Sequence, residues 1–199
     1  MKISGVAVVA FVVCSSAVVQ ATEFIGELKP FVESTVGVWI VPDAEELAIR
    51  SGVMEERYDG EVAFVGNIKG GLEVDNTDYV ADLAAVGGFY AGPVAGLNGG
   101  IETSFRIKAD QWNMTIGPHV GVHYYAMPTW IGDYDDQVDL DGDWGWSVGL
   151  KATVGKKLRG VLTIDYVDLD FDANGKSGGA VSTSKLDMHG IMICGGILF

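Results

Sequence analysis

One stretch of sequence, residues 112–127 (WNMTIGPHVGVHYYAM), alternates between two kinds of side chain and so limits what the chain can fold into. One alternate set is almost wholly apolar: Trp112, Met114, Ile116, Pro118, Val120, Val122, Tyr124 and Ala126. The other set is mostly small, polar or titratable: Asn113, Thr115, Gly117, His119, Gly121, His123 and Tyr125. A period of two residues predicts a β-strand and not a helix.

The length of this predicted strand indicates where it lies. Strands of soluble proteins usually run ~5–6 residues, whereas a tilted strand needs ~9–11 residues to cross a membrane. Trp112 at one end and Tyr124 and Tyr125 at the other bracket the apolar face. The pattern therefore predicts a lipid-facing strand with aromatic side chains at the two membrane interfaces.

The first 21 residues have the composition of a secretory signal peptide. Lys2 provides a short basic start, residues 3–13 are an apolar run, and residues 19–21 (VQA) fit a cleavage site before Thr22. A retained membrane helix is the alternative, but the run is too short for that and is followed by Ser15-Ser16. Val13 precedes Cys14, which argues against lipidation. We therefore expect residues 1–21 to be removed and residues 22–199 to form one domain.

Charge and composition narrow the class of protein. Loss of Lys2 with the signal peptide changes the formal charge from −14 to −15, which argues against nucleic-acid binding and against binding anionic lipid by charge. Cys194 is then the one remaining cysteine, so no internal disulfide can form. Beyond the signal, no apolar run reaches the ~18 residues of a membrane helix. A mean hydropathy of +0.25 with 28 glycines is typical of a transmembrane β-barrel.

The rest of the chain supplies seven further candidate strands, at residues 31–41, 61–74, 79–91, 101–109, 143–155, 160–172 and 186–199. Trp39 is an exception in the first, since it falls among the polar alternate positions. Residues 82–86 are equally compatible with a helix. A short helix is predicted within residues 43–52, capped by Asp43 and ended by Gly52. Eight strands predict an all-β, antiparallel, up-and-down transmembrane barrel.

The connections between the predicted strands differ in length. Short turns are expected at 110–111 and 156–159, and long loops at 42–60, 127–143 and 173–185, with 92–100 as a loop of intermediate length. Such barrels have short turns on the periplasmic side and long loops outside. Residues 168–172 are too acidic for lipid and should protrude from the membrane on the long-loop side.

The end of the chain resembles a known family. Residues 165–172 (DYVDLDFD), then a Gly-rich loop and a final GGILF, resemble the close of small porin-family, eight-stranded outer-membrane β-barrel proteins. Tyr166, Asp168, Asp170, Phe171 and Asp172 match that pattern, which often has Arg at the place of Asp165 and Leu at that of Val167.

This resemblance implies a fold and an address, without an activity. The expected location is the outer membrane of a Gram-negative bacterium, in contact with outer-membrane lipid and lipopolysaccharide. The resemblance further implies that Phe199 is the signal recognised by the outer-membrane assembly machinery. Met192 and Cys194 would then face inward, where apolar side chains are unusual.

Candidate chemical sites are few. His119 and His123 share the inner face of one strand but lie ~13 Å apart along it, so they cannot chelate one metal ion together. They are expected to be ordinary lumen residues; a catalytic role is the alternative, for which the sequence assigns no Ser or Asp partner. Asp170, Asp172 and Asn174 have the D-x-D-x-N-G spacing of a calcium loop, but the twelfth position is Val181 instead of Glu.

Charged residues at inward positions predict an internal network made of Glu33, Lys69, Glu102, Arg106, Lys108, Lys151 and Asp165. An eight-stranded barrel is just wide enough inside for side chains to fill it, so this network is expected to plug the lumen.

We therefore expect a structural or surface-interaction role, exercised through acidic outer loops, with no catalytic residues, cofactor or metal site. Three alternatives stay open: a narrow pore for small solutes, a lipid-modifying enzyme using His119 or His123, and a soluble lipocalin-like binding protein. The last requires the inside and outside faces of the strands to be reversed.

Overall fold

The structure, a computed structural model, describes residues 26–44, 58–131, 138–177 and 180–199. Their strands are β1 (Glu27–Ala44), β2 (Tyr58–Asp75), β3 (Tyr79–Ala91), β4 (Val94–Ala109), β5 (Met114–Trp130), β6 (Val138–Asp141), β7 (Asp143–Val154), β8 (Arg159–Asp168), β9 (Asp170–Ser177), β10 (Ala180–Asp187) and β11 (Gly190–Leu198). One turn of 3-10 helix covers Asp110–Trp112. No helix among the described residues is long and apolar enough to cross a membrane. The predicted signal peptide lies outside the described residues.

Eight strands close into a barrel in the order β1-β11-β8-β7-β5-β4-β3-β2, and every neighbouring pair is antiparallel. The ring closes where β1 pairs with β11, from Glu33 opposite Leu198 to Ile40 opposite Ile191. The predicted eight-stranded barrel is confirmed, and each predicted strand overlaps one strand of the ring. β3 has the predicted bounds, which excludes the helical alternative for residues 82–86.

The two faces of the wall are also as predicted. Along β5, Thr115, His119 and His123 are buried inside, while Ile116 and Val120 are exposed on the outside. This distribution contradicts the lipocalin-like alternative, which needs an apolar interior throughout and a polar exterior. Trp39 is enclosed in the lumen with 1% of its surface exposed, so the alternation of β1 holds despite its size.

One expected interfacial residue lies elsewhere. Tyr124 is exposed on the outer surface, but Tyr125 is buried inside the barrel. Tyr125 therefore contributes to the interior packing and not to an aromatic belt, because consecutive strand residues point to opposite faces.

The barrel has two unlike ends. Residues 76–78, 110–113 and 155–158 make the connections at one end, which we call the turn end. Phe199 lies there too and exchanges backbone hydrogen bonds with Val32 at 2.8 and 3.2 Å. At the opposite end, the loop end, β6, β9 and β10 form a separate three-stranded sheet, the outer sheet, in the order β10-β9-β6.

Several of the predicted loops are wrong, because the chain forms strands there. Parts of 127–143 and 173–185 are strands, as β5 continues to Trp130 and β6, β9 and β10 follow. The expected loop 92–100 is only the turn Gly92-Pro93, since β4 begins at Val94. Of the predicted helix, Asp43 and Ala44 belong to β1 and pair with β2, and residues 45–52 lie outside the described residues. The Gly, Ser and Asp content of these segments predicts loops, but their backbones pair with neighbouring strands in the structure.

Strong curvature of the small barrel brings neighbouring strands very close on the inner side at some glycines. At Gly149 an added Cβ atom would overlap the carbonyl oxygen of Ile164 and the carboxylate of Asp165. Gly87 belongs to the outer face of β3, and an added Cβ atom there would have no neighbour within 4 Å. These two glycines therefore have different structural roles.

We expect Gly149→Ala to lower the free energy of unfolding by about 1–3 kcal/mol, because the wall must shift to admit the methyl group. Urea unfolding of the barrel in lipid vesicles would measure the change. Gly87→Ala is the matched control and should leave the midpoint unchanged or slightly raised. Equal destabilisation by both substitutions would contradict this account of the inner glycines.

Candidate functional site

A connected set of charged side chains occupies the lumen on the turn-end side and around its middle. We call it the lumen network: Glu33, Lys69, Glu73, Asp82, Glu102, Arg106, His119, Lys151, Arg159 and Asp165. Its members come from all eight barrel strands except β11. They occupy alternate positions, so the strand period alone turns them inward.

Glu102 is the centre of one half of the network. Its carboxylate contacts the Lys69 ammonium, lies 2.9 Å from Nε2 of His119, and lies 3.5 Å from Nε2 of His123. Nδ1 of His119 is 2.8 Å from Oδ1 of Asp165. Both ring nitrogens of His119 thus face a carboxylate, and an ionised carboxylate can only accept hydrogen bonds. This geometry suits an imidazolium that donates from both nitrogens.

The other half runs toward the turn end. Lys151 Nζ lies 2.8 Å from Glu33 and donates to Asp82 at 3.2 Å. Arg106 donates to Asp82 at 2.8 Å, and Arg159 donates to both oxygens of Glu73 at 2.7 and 3.1 Å. Arg106 also lies 3.5 Å from Glu73, which joins these contacts into one chain.

The charges of the network balance. Its five carboxylates are Glu33, Glu73, Asp82, Glu102 and Asp165, and its four lysines and arginines are Lys69, Arg106, Lys151 and Arg159. The fifth positive charge would come from His119, since both of its ring nitrogens face carboxylates and so suit the doubly protonated form. Removing charges from water is costly unless partners replace the lost solvation, so a balanced network is the form in which they can be buried.

The lumen is closed to water at this level. Nine of the ten network side chains are at most 5% exposed, and Arg159, at the turn end, is the tenth. The lining of a water-filled pore would be wetted along its length. Toward the turn end, Phe31, Ala84, Val161 and Leu198 form a buried apolar cluster inside the barrel. The described side chains therefore fill the lumen at this level.

Six of the seven predicted network residues belong to this network. Lys108 does not: it pairs with Asp75 at 2.6 Å at the turn end, where Lys29 pairs with the same carboxylate. The sequence-based prediction omits Asp82, because the helical alternative for residues 82–86 hides its inward position, and Arg159, because the prediction places it in the turn 156–159. The prediction also omits Glu73, and it places His119 on the inner face without a partner, because strand alternation gives no contacts across the lumen.

On the loop-end side of the network lies an apolar core that connects the barrel to the outer sheet. The rings of Tyr90 and Tyr125 are 5.5 Å apart, and Phe171 of β9 lies 6.4 Å from each. The members of this outer core are Trp39, Val41, Ala63, Val65, Tyr90, Val94, Tyr125, Trp130, Leu140, Val167, Leu169, Phe171, Ala173, Leu186, Met188, Met192 and Cys194. The predicted inward positions of Met192 and Cys194 are explained by this core, since it gives them apolar neighbours.

The two faces of the outer sheet differ in chemistry. Leu140, Phe171 and Ala173 pack on the outer core, whereas Asp141 and Asp172, opposite each other on β6 and β9, are exposed. Asn174 Nδ2 donates to Asp141 at 3.2 Å. The hydrophobic underside fixes the sheet on the barrel and leaves its acidic side toward solvent.

The calcium-like spacing of Asp170, Asp172 and Asn174 is not a chelating loop. These residues lie in β9, which pairs with β6 on one side and β10 on the other. Alternate side chains of an extended strand stand ~6.6 Å apart and point in parallel, whereas calcium needs oxygens that converge on it. The spacing therefore provides no calcium loop in this fold.

No family model and no curated protein sequence matches this chain. Among solved structures, the outer membrane protein OprG from Pseudomonas aeruginosa is similar, with a TM-score of 0.50 and 13% identity over 85% of this chain and 95% of that chain. AlkL in DMPC lipid bilayers is also similar, with a TM-score of 0.47 and 14% identity over 85% of this chain and 89% of that chain. Outer membrane protein W of E. coli has a TM-score of 0.44 and 13% identity over 87% of this chain and 97% of that chain. The likeness to OprG shows the fold, and the predicted outer-membrane-type barrel is confirmed.

We expect Glu102→Ala to destabilise the barrel by about 3–5 kcal/mol, because Lys69, His119 and His123 lose a shared partner inside the lumen. Urea unfolding in vesicles would measure it. Glu27→Ala is the control: Glu27 pairs with Lys29 at the exposed turn end, and its loss should cost at most about 1 kcal/mol. If Glu102→Ala were as mild as the control, the network would not be a significant source of stability.

Proposed function

We propose that this chain is a sealed β-barrel of the bacterial outer membrane with a structural or surface-interaction role. The outer sheet would be the part that meets the surroundings of the cell. The observation that carries the proposal is the filled lumen: a balanced ion-pair network and two apolar clusters occupy the interior, while the exterior is apolar.

The exterior supports membrane insertion. Large apolar side chains are exposed on the outer face of every barrel strand, among them Val36, Ile68, Phe89, Ile101 and Leu150. A closed barrel pairs its backbone groups around the ring, as a structure surrounded by lipid must. An exposed apolar surface of this extent has a physical reason in lipid and none in water.

Aromatic side chains mark the two limits of this surface. Toward the loop end, the exterior pairs Tyr124–Trp144 and Trp146–Tyr166 have ring centroids 5.3 and 5.9 Å apart. Toward the turn end, Tyr79 and Phe105 stack at 5.1 Å. Aromatic girdles of this kind lie at the two membrane interfaces of such barrels, and their short turns face the periplasm. The outer sheet would therefore lie outside the cell.

The same interior argues against the alternative functions. A pore needs a continuous water path, and the lumen network leaves none among the described side chains. A lipid-modifying enzyme needs a reactive group within reach of its substrate. His119 has both nitrogens engaged, and His123 is buried between Glu102 and Tyr125. Neither histidine faces the membrane, so a surface role is favoured.

We expect the purified barrel to show no stable single-channel current in planar lipid bilayers, because the charged plug leaves no water path. Insertion must be shown separately, by a change in electrophoretic mobility on boiling. Reproducible conductance steps from the inserted protein would overturn the sealed lumen and favour the pore.

Orientation can be tested by labelling engineered cysteines on intact cells. Cys194 is buried, so the unmodified protein provides a background without reaction. Asp172→Cys on the outer sheet should react with a membrane-impermeant maleimide, whereas Lys156→Cys at the turn end should react only after the outer membrane is permeabilised. The opposite result would reverse the proposed orientation.

A further inference from the structure

The turn end carries exposed apolar and cationic side chains side by side on two adjacent turns. Trp112 and Leu158 are 70% and 57% exposed, and Lys156 and Lys157, which precede Leu158 in the second turn, are also exposed. The turns are joined by a hydrogen bond from the amide of Gly155 to the carbonyl of Asn113, 2.9 Å long. We call Trp112, Lys156, Lys157 and Leu158 the basic rim.

The lysines of the basic rim differ from the other cations at this end. Lys29 pairs with Glu27 and Asp75, Lys108 pairs with Asp75, and Arg159 pairs with Glu73. Lys156 and Lys157 have no ion-pair partner among the residues that the structure describes. Their charges are thus available to a ligand from outside the protein.

The position of the rim indicates the kind of ligand. Ile116 and Val154, on the adjacent strands, continue the exposed apolar surface up to these turns. In the proposed membrane orientation, Trp112 and Leu158 would lie where the hydrocarbon region ends, and the two lysines would lie at the level of the lipid headgroups. Lysine side chains at such a boundary keep their stems in apolar surroundings and their charges among polar groups.

We propose that the basic rim binds the phosphate of an anionic phospholipid in the inner leaflet of the membrane. Lys156 and Lys157 contact the headgroup, and Trp112 and Leu158 pack beside the upper part of the acyl chains. This inference rests on the proposed membrane insertion and orientation, and adds a lipid class to it.

The acidity of the whole chain does not oppose this binding. Many of the carboxylates lie in the lumen network, where bases offset their charge, or in the outer sheet at the far end of the barrel. Charges farther away than a Debye length, ~8 Å at physiological salt, are largely screened in solution. The net charge of the whole chain, on which the sequence-based argument against anionic lipid rests, therefore does not describe the charge at this rim.

A retention experiment tests the rim. The barrel is reconstituted in vesicles of equal parts phosphatidylglycerol and phosphatidylcholine and re-extracted in mild detergent, and the two lipids retained per barrel are counted by mass spectrometry. We expect the unmodified protein to be enriched in phosphatidylglycerol. Lys156→Gln/Lys157→Gln should reduce this enrichment by about fivefold for each lysine replaced. Lys156→Arg/Lys157→Arg is the matched control and should retain the enrichment.

The outcomes separate this inference from the proposal that it rests on. Soluble glycerol 3-phosphate should fail to displace the lipid, since it lacks the acyl chains beside Trp112; displacement would indicate a site for free phosphate instead. Two results would contradict the lipid site alone, in a barrel that inserts and changes mobility on boiling. One is equal retention of both lipids; the other is an enrichment that Lys156→Gln/Lys157→Gln leaves unchanged. A chain that does not insert overturns both.

Discussion

Closure of the ring between β1 and β11 is the constraint on which the other features depend. It pairs the last strand of the chain with the first, so the eight-stranded sheet has no free edge along that pairing. Eight strands also fix the radius, and at that radius inward side chains meet across the lumen. Two features follow from this small radius. The wall leaves no room for a side chain at the inner position Gly149, and β5 contacts β8 through His119 and Asp165.

A narrow lumen requires that inward charges be neutralised by one another. Water cannot solvate Arg106 or Lys151 where they lie, so each must find carboxylates on other strands. The contacts of Lys151 cross the barrel, from β7 to β1 and from β7 to β3, and therefore hold non-adjacent parts of the wall in one arrangement. The network thus acts on shape as well as on stability, since a change of register in one strand would separate several pairs.

Strand alternation made much of this structure predictable, and its limits are equally physical. The period of two places Glu33, Glu102 and His119 inside, and it holds even at Trp39, an apolar residue among the polar alternate positions of β1. It could not identify partners such as His119 and Asp165, because those depend on shear and curvature. It also failed at β9 and β10, where residues of loop-like composition become strands because Phe171 and Leu186 are buried against the outer core.

The two ends of the barrel differ in their surface chemistry. At the loop end, apolar side chains fill the interior and continue into a sheet whose opposite side carries Asp141 and Asp172. At the turn end, the connections are short, most cations are paired within the protein, and Lys156 and Lys157 are the exceptions among the described residues. Because the described side chains fill the lumen between the two ends, the chemistry of each end is carried by its own surface residues: the acidic side of the outer sheet at the loop end, and the short turns at the turn end.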